Sequence, residues 1–378
     1  MLDQFITDAY ALPRLKALTR FAPATIQTKL GSRSEPGIPP ERVHCLWATT
    51  LLEHVRHWLG FAPMLTYMKL DGRFSEAAAR RAAKQRCDLF LYSPYAWEAF
   101  TAKYPHTPRR VLFQYHPHPE LERRILRDDA ARYPGIGESF GAAPDQVPPE
   151  ELFRRERDCW RCADLILCAS EFTRRSLLEA GCDARLCRVV PYGIDLPEAA
   201  AGKPPADAFH AVFVGSGGQR KGLHHLLRAW QMASLPASSR LTLVCRVLDE
   251  GIKRMLAEVP RIELRRGVPH AELQRLYATS SLFVMPSLVE GFGQVYLEAL
   301  AYGCPVLGTL NTCLPDIGGE ADGVFLVSPG NVEELAAKLR TLAGALPGNS
   351  GVREAARRSA ARFTWPAFRE GVRGALRR

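Results

Sequence analysis

Short apolar runs alternate with amphipathic stretches along most of this chain. Cys87 to Ser93 (CDLFLYS), Val111 to Tyr115, Ala163 to Ser170 (ADLILCAS), Leu241 to Val247 and Ile262 to Leu264 read as buried strands bounded by turn residues. Between them the apolar spacing is helical, around Val43 to Leu59, Phe74 to Gln85, Pro149 to Cys162 and Glu171 to Ala180. Strands taking turns with helices predict βαβ units and parallel sheets, an α/β fold. Phe21 to Glu41 is rich in Pro, Ser and Gly and reads as a loop, and polar Leu121 to Val147, interrupted by YPGIGESFGAAP, reads as a mobile connection facing a cleft. Leu196 to Asp207 (LPEAAAGKPPAD) lacks periodicity and is the clearest linker, so the domains are predicted at 1–195 and 208–360, joined by 196–207 and followed by a last helix over 361–378.

The densest pattern is Leu282 to Thr309, LFVMPSLVEGFGQVYLEALAYGCPVLGT. An apolar run stops at Pro286, a loop with Gly291 and Gly293 follows, and the helical pattern from Gln294 ends at Gly303 with Pro305 beyond. Such a unit presents a helix N-terminus where the chain turns, and its bare N–H groups and positive dipole end favour an anion. Glu290 and Glu298 flank that end. Eight residues of helix rise about 12 Å, so the two acids are predicted to hold separate hydroxyl groups rather than one proton or one metal.

Earlier in the second half, AVFVGSGGQRKGLHHLLRAW runs strand, glycine loop, helix, with Arg220 and Lys221 at the helix entrance. It is neither a Walker loop nor G-x-G-x-x-G, and cations there suit a diphosphate. In the first half, the strand from Val111 ends at His116, Pro117, His118 and Pro119; strand ends of this kind line ligand clefts in open α/β sheets.

The pattern E-G-F-G-x-x-x-x-E-A-x-A-x-G-x-P-V, Glu290 to Val306, resembles the signature of the family 4 glycosyltransferases. The resemblance implies a GT-B fold: two Rossmann-like domains facing a cleft, with a C-terminal helix crossing back to the first. By position it implies Glu290 at the donor sugar, the backbone of Gly291, Phe292, Gly293 and Gln294 at the diphosphate, and Glu298 on the ribose. It further implies Lys221, with Arg220, on the diphosphate, the turn from Arg266 to Val268 around the base, and His116 near sugar and acceptor. Ser216 stands where the family places an Arg, and Asn311 and Thr312 where it places two glycines. No glycine precedes Gly31, and LDQFITDAYAL resembles the family's second strand, so the first strand and its loop are expected to be absent or replaced.

Charge and composition narrow this picture little further. A net charge of +10 suits a diphosphate ligand or an anionic membrane surface, and no recognisable nucleic-acid motif accompanies it. No apolar run reaches the eighteen residues of a membrane span, and MLDQFITDAY has no basic leader region. The 10 cysteines, many inside apolar runs, suit a reducing cytoplasm, with peripheral attachment to the inner membrane face as a further expectation. Cys159 and Cys162 are read as one face of a helix rather than a zinc site. No D-x-D occurs, so no metal or other cofactor is expected and the cations are assigned the departing charge. The reading is a retaining, metal-independent transferase using a nucleoside diphosphate sugar and an unidentified acceptor. The alternatives are an inert sugar-nucleotide-binding scaffold and an epimerase of the same fold.

Overall fold

The computed structural model describes residues 108–136, 150–198 and 208–377, with short pieces before residue 102. Most of the helices predicted over 43–59 and 74–85, and the linker from 199 on, lie outside the described residues.

In the first half, β1 (Phe5–Ile6), β4 (Leu89–Tyr92), β5 (Arg109–Gln114), β6 (Leu165–Cys168) and β7 (Cys187–Val189) form a parallel sheet in the order β1-β4-β5-β6-β7. A separate parallel pair joins β2 (Ala22–Pro23) to β3 (Val43–His44). The sequence reading made the first of these segments loop and the start of the second helix; Val43 and His44 instead pair with Ala22 and Pro23. β1 pairs with β4, the neighbour that a first strand has in a doubly wound sheet, rather than lying where a second strand would.

The second half carries β8 (His210–Val214), β9 (Arg240–Val244), β10 (Ile262–Arg265), β11 (Leu282–Val284), β12 (Val306–Thr309) and β13 (Val324–Val327) in the order β10-β9-β8-β11-β12-β13. This is the doubly wound arrangement, and strand order reverses between β8 and β11. Most residues of the inner strands β8, β11, β12 and β13 are apolar and buried because helices cover both faces of a parallel sheet, whereas the edge strand β10 (IELR) has no fully buried residue.

Helices α1 (Pro119–Arg132), α2 (Glu150–Asp158) and α3 (Glu171–Glu179) belong to the first half; α4 (Leu223–Met232), α5 (Glu250–Leu256), α6 (His270–Thr279), α7 (Gln294–Ala301), α8 (Leu314–Ile317), α9 (Val332–Ala345), α10 (Ser350–Ala360) and α11 (Trp365–Arg377) follow. α1 corrects the reading of Leu121 to Val147 as a connection as far as Arg132; the part beyond residue 136 lies outside the described residues. Pro119 at its first turn, Glu120 and Glu122 near its N-terminus and Arg132 in its last turn are favourable helix-end chemistry, and its apolar side is narrow: Leu121, Ile125 and Leu126 pack with Phe172, Leu288 and Val289, while the polar Asp129 is buried as well.

α11 crosses back to the first half, as the family resemblance implies. Phe368 packs edge-on against Phe113 of β5, 6.4 Å between ring centres, and Arg109 donates to the Leu376 carbonyl at 2.8 Å. Its apolar face, Phe368, Val372 and Ala375, is therefore spent inside the molecule rather than offered to a membrane. Pro366 begins this helix rather than breaking the chain before it. Among the described residues no helix is long and apolar enough to cross a membrane.

Candidate functional site

The strand-order reversal brings the carboxyl ends of β8 and β11 side by side, where open α/β sheets bind ligands. After β8 the chain makes a tight turn, Gln219–Lys221, and after β11 it runs through the loop to Gly293. The two are joined by Leu288 N–H donating to the Arg220 carbonyl at 3.0 Å, and the loop is tied to the segment after β12 by Glu290 N–H donating to the Asn311 carbonyl at 3.0 Å.

Glu290, only 7% exposed, is the centre of the cluster. One of its carboxylate oxygens accepts from Lys221 Nζ and from Arg220 Nη1, the latter at 2.9 Å. Burial opposes its ionisation, but Arg220 and Lys221 outweigh burial and hold Glu290 well below the usual carboxylate range. Burial likewise lowers Lys221 against the pull of Glu290, whereas Glu290 and Glu122 keep the Arg220 guanidinium above its ordinary value in spite of burial. Arg220 is thus paired with the same acid as Lys221. Glu122 of α1 approaches Arg220 Nε at 4.0 Å from the first half, and burial pushes its carboxyl up to about 7.

The loop after Glu290 docks on the first half. A Cβ at Gly291 would lie 1.8 Å from the Tyr115 carbonyl oxygen and 3.1 Å from His116 Cα, so only glycine permits this approach. The Gly291 carbonyl accepts from Ser170 Oγ at 2.5 Å and Thr173 Oγ1 at 3.3 Å, both at the start of α3. Phe292 is buried with its ring 4.7 Å from that of Tyr192, and Gln294 Nε2 donates to the Gly193 carbonyl at 2.6 Å. Gly293 takes φ +76° as the residue before α7; Tyr296 N–H donates back to its carbonyl at 3.0 Å, and the N–H groups of Gln294 and Val295 have no acceptor within the helix.

His116 therefore sits across from Gly291, at the mouth of a cavity of about 110 Å³ that Gln114, Tyr115, Glu122 and Glu156 also line. Burial pushes Glu156 up to about 7 as well. His118 is separate: it is buried, its backbone N–H donates to Ser176 Oγ at 2.8 Å, and its ring meets the Arg157 carbonyl at 3.1 Å.

Other sequence-derived candidates stand apart from this cluster. Glu298 is half-buried on α7 and accepts from Tyr277 OH of α6 at 3.1 Å; burial raises its carboxyl. Arg266, exposed, and Val268, half-buried, follow β10, the edge strand two places removed from β8. Cys159, fully buried, donates to the Glu156 carbonyl, and Cys159 and Cys162 fall in a turn after α2 rather than in the helix itself. Glu122, Ser170, Thr173 and Tyr192 escaped the sequence reading. Ser170 alone carried a local signal, as a helix-capping serine ahead of Glu171.

Comparison with known proteins covers both halves. A family model described as Glycosyltransferase Family 4 matches residues 21–198, and one described as Glycosyl transferases group 1 matches 208–344. O-antigen chain mannosyltransferase B of Escherichia coli is 25% identical over 223 residues, 53% of this chain and 58% of that protein, so the chain spans less than two thirds of this relative. Sucrose-phosphate synthase from Thermosynechococcus elongatus has a similar structure, with TM-score 0.74 and 19% identity, covering 99% of this chain and 98% of that one. Anabaena HepE in complex with UDP superposes with TM-score 0.63 and 18% identity over 99% of both chains. Likeness at that level of identity speaks for the fold, the two-domain GT-B arrangement.

Proposed function

The chain belongs to the family 4, group 1 glycosyltransferases, and we propose that it transfers a sugar from a nucleoside diphosphate sugar to an acceptor bound at the first half, with retention and without a metal. One observation carries the reading: Lys221 and Arg220 converge on Glu290 where strand order reverses, beside the N-terminus of α7.

In the free protein Glu290 pairs with both cations and offsets one of their two charges. A diphosphate entering here competes for Lys221 and Arg220 and for the first N–H groups of α7, and frees the Glu290 carboxylate for hydroxyls of the donor sugar. When the bond to the sugar breaks, negative charge develops on the departing diphosphate, and preorganised cations and amides in a water-poor site stabilise it. His116, opposite Gly291, lines the reacting sugar and the acceptor. Glu298 takes the ribose and the turn at Arg266 to Val268 the base. The UDP bound by HepE supports a nucleoside diphosphate as the donor's leaving group. A net charge of +10 suits an acceptor presented at an anionic surface.

UDP, GDP and ADP sugars screened for thermal stabilisation should single out one nucleotide, because a ligand that binds only the folded state raises its stability. The stabilising sugar is then offered with candidate acceptors. Stabilisation by none of them, or turnover of the donor that ignores every acceptor, would overturn the transferase reading.

A further inference from the structure

Immediately beside the donor cations lies a buried polar cluster that the proposed chemistry does not use. Asp129, from α1 of the first half, accepts from His225 Nε2 at 2.7 Å and from His224 Nε2 at 3.0 Å, both at the start of α4. It also accepts from Gln219 Nε2 at 2.9 Å, and that amide group donates again to the Leu126 carbonyl of α1 at 2.7 Å. All of these side chains are buried, and the Tyr133 ring closes the cluster edge-on, 5.3 Å from the ring of His224 and 5.0 Å from that of His225.

The same donor set lies close enough together for a divalent cation. The remaining ring nitrogens argue otherwise. Nδ1 of both histidines is buried with no hydrogen-bond partner. An imidazole bound to metal through Nε2 would leave a buried Nδ1–H unsatisfied, where metal-bound histidines normally donate that proton to an acceptor. With Nε2–H donating to Asp129, only a lone pair is left at Nδ1, and every proton in the cluster has an acceptor. Burial resists the Asp129 charge, but the hydrogen bonds from both histidines and Gln219 hold it well below the usual carboxylate range.

The placement matters because Gln219, Arg220 and Lys221 are consecutive residues of one turn, while α1 begins directly after the segment bearing His116. We propose that Asp129 is a positioning residue: through Gln219, His224 and His225 it fixes the Arg220–Lys221 turn to α1, so that diphosphate affinity in the second half depends on a helix of the first. The affinity part rests on the donor reading above; the fixing of the turn does not.

The test uses the full chain and its Asp129→Asn and Gln219→Leu variants, each of which keeps side-chain volume, with the distant core variant Val306→Ala as a control for general loss of stability. Hydrogen exchange in the free protein reads the Gly222 and Leu226 amides, which donate to the Gln219 and Gly222 carbonyls. Tenfold or faster exchange at these amides is expected in both network variants and not in the control. Binding of inorganic pyrophosphate should weaken at least tenfold in either variant, with the double variant no weaker than the singles, since partners in one network are non-additive. Unchanged exchange, exchange no faster than in the control, or faster exchange with full pyrophosphate affinity would each overturn the proposal. So would zinc retained by the wild type and lost together with the protection on chelation. If the wild type binds no pyrophosphate the donor reading fails, and the exchange arm alone decides whether Asp129 fixes the turn.

Discussion

The loop from Pro286 to Gly293 and helix α1 face each other across the same site, and they differ in how their residues are constrained. In the loop the constraints are local. Gly293 needs φ +76° and Glu290 must stand at a fixed distance in sequence from a helix start, and even the long-range approach of Gly291 to the Tyr115 carbonyl asks of the loop only that a side chain be absent. In α1 they are long-range: Glu122 answers Arg220 and Asp129 answers Gln219, His224 and His225, partners some ninety residues on. Local constraint leaves a short motif in the chain, whereas long-range polar pairing leaves only a helix that is unusually hydrophilic.

The comparison can be broken most sharply at Glu290. Glu290→Gln leaves Lys221 and Arg220 buried without their acid, a loss of about 3–5 kcal/mol for a broken buried pair, and transfer should fall by ~10²-fold or more. Chemical denaturation and initial rates check the two effects; near-wild-type values in both would remove Glu290 from its central place. Gly291→Ala comes next. Its Cβ would overlap the Tyr115 carbonyl, the loop must back away from β5, and about 1–3 kcal/mol of stability should go with a rise in acceptor KM. A variant with an unaltered melting temperature and KM would show that the two halves do not touch there in solution.

The smallest effect belongs to α1 and depends on pH. Burial raises the Glu122 carboxyl from 4.5 to about 7, so the folded state keeps a proton that the unfolded chain gives up. Stability contributed at this position is therefore lost as pH rises from about 4.5 to 7. Glu122→Gln should flatten that part of the stability profile, measured by denaturant melts across the range, and a slope identical to the wild type would contradict the burial of this acid.

Much of the fold was legible because parallel strands covered on both faces are short, mostly apolar runs, as β11 (LFV) and β12 (VLGT) are; the edge strand β10 (IELR) alternates with charge and was legible only from the turn at Arg266 and Gly267 that follows it. The crossing of α11 was legible only by resemblance, since an amphipathic helix rich in arginine reads equally well as a membrane-surface element until Phe368 is seen against Phe113. Within the site, Lys221 meets Glu290, and His116 lies across from Gly291. Arg220 follows Ser216, which stands where the family places an Arg, so register alone said little of it; in the structure it shares a carboxylate with Lys221. Ser170 and Thr173 were hidden for the same reason as Asp129: what they bind, the Gly291 carbonyl, lies more than a hundred residues away in sequence.

The central claim is that the meeting point of β8 and β11 binds a diphosphate through Lys221 and Arg220. Calorimetric titration of UDP, GDP and ADP into the wild type and Lys221→Gln tests it most directly. Saturable one-site binding of at least one nucleotide, weakened tenfold or more by the substitution, is the predicted result; no binding at all, or equal affinity in both proteins, would contradict it.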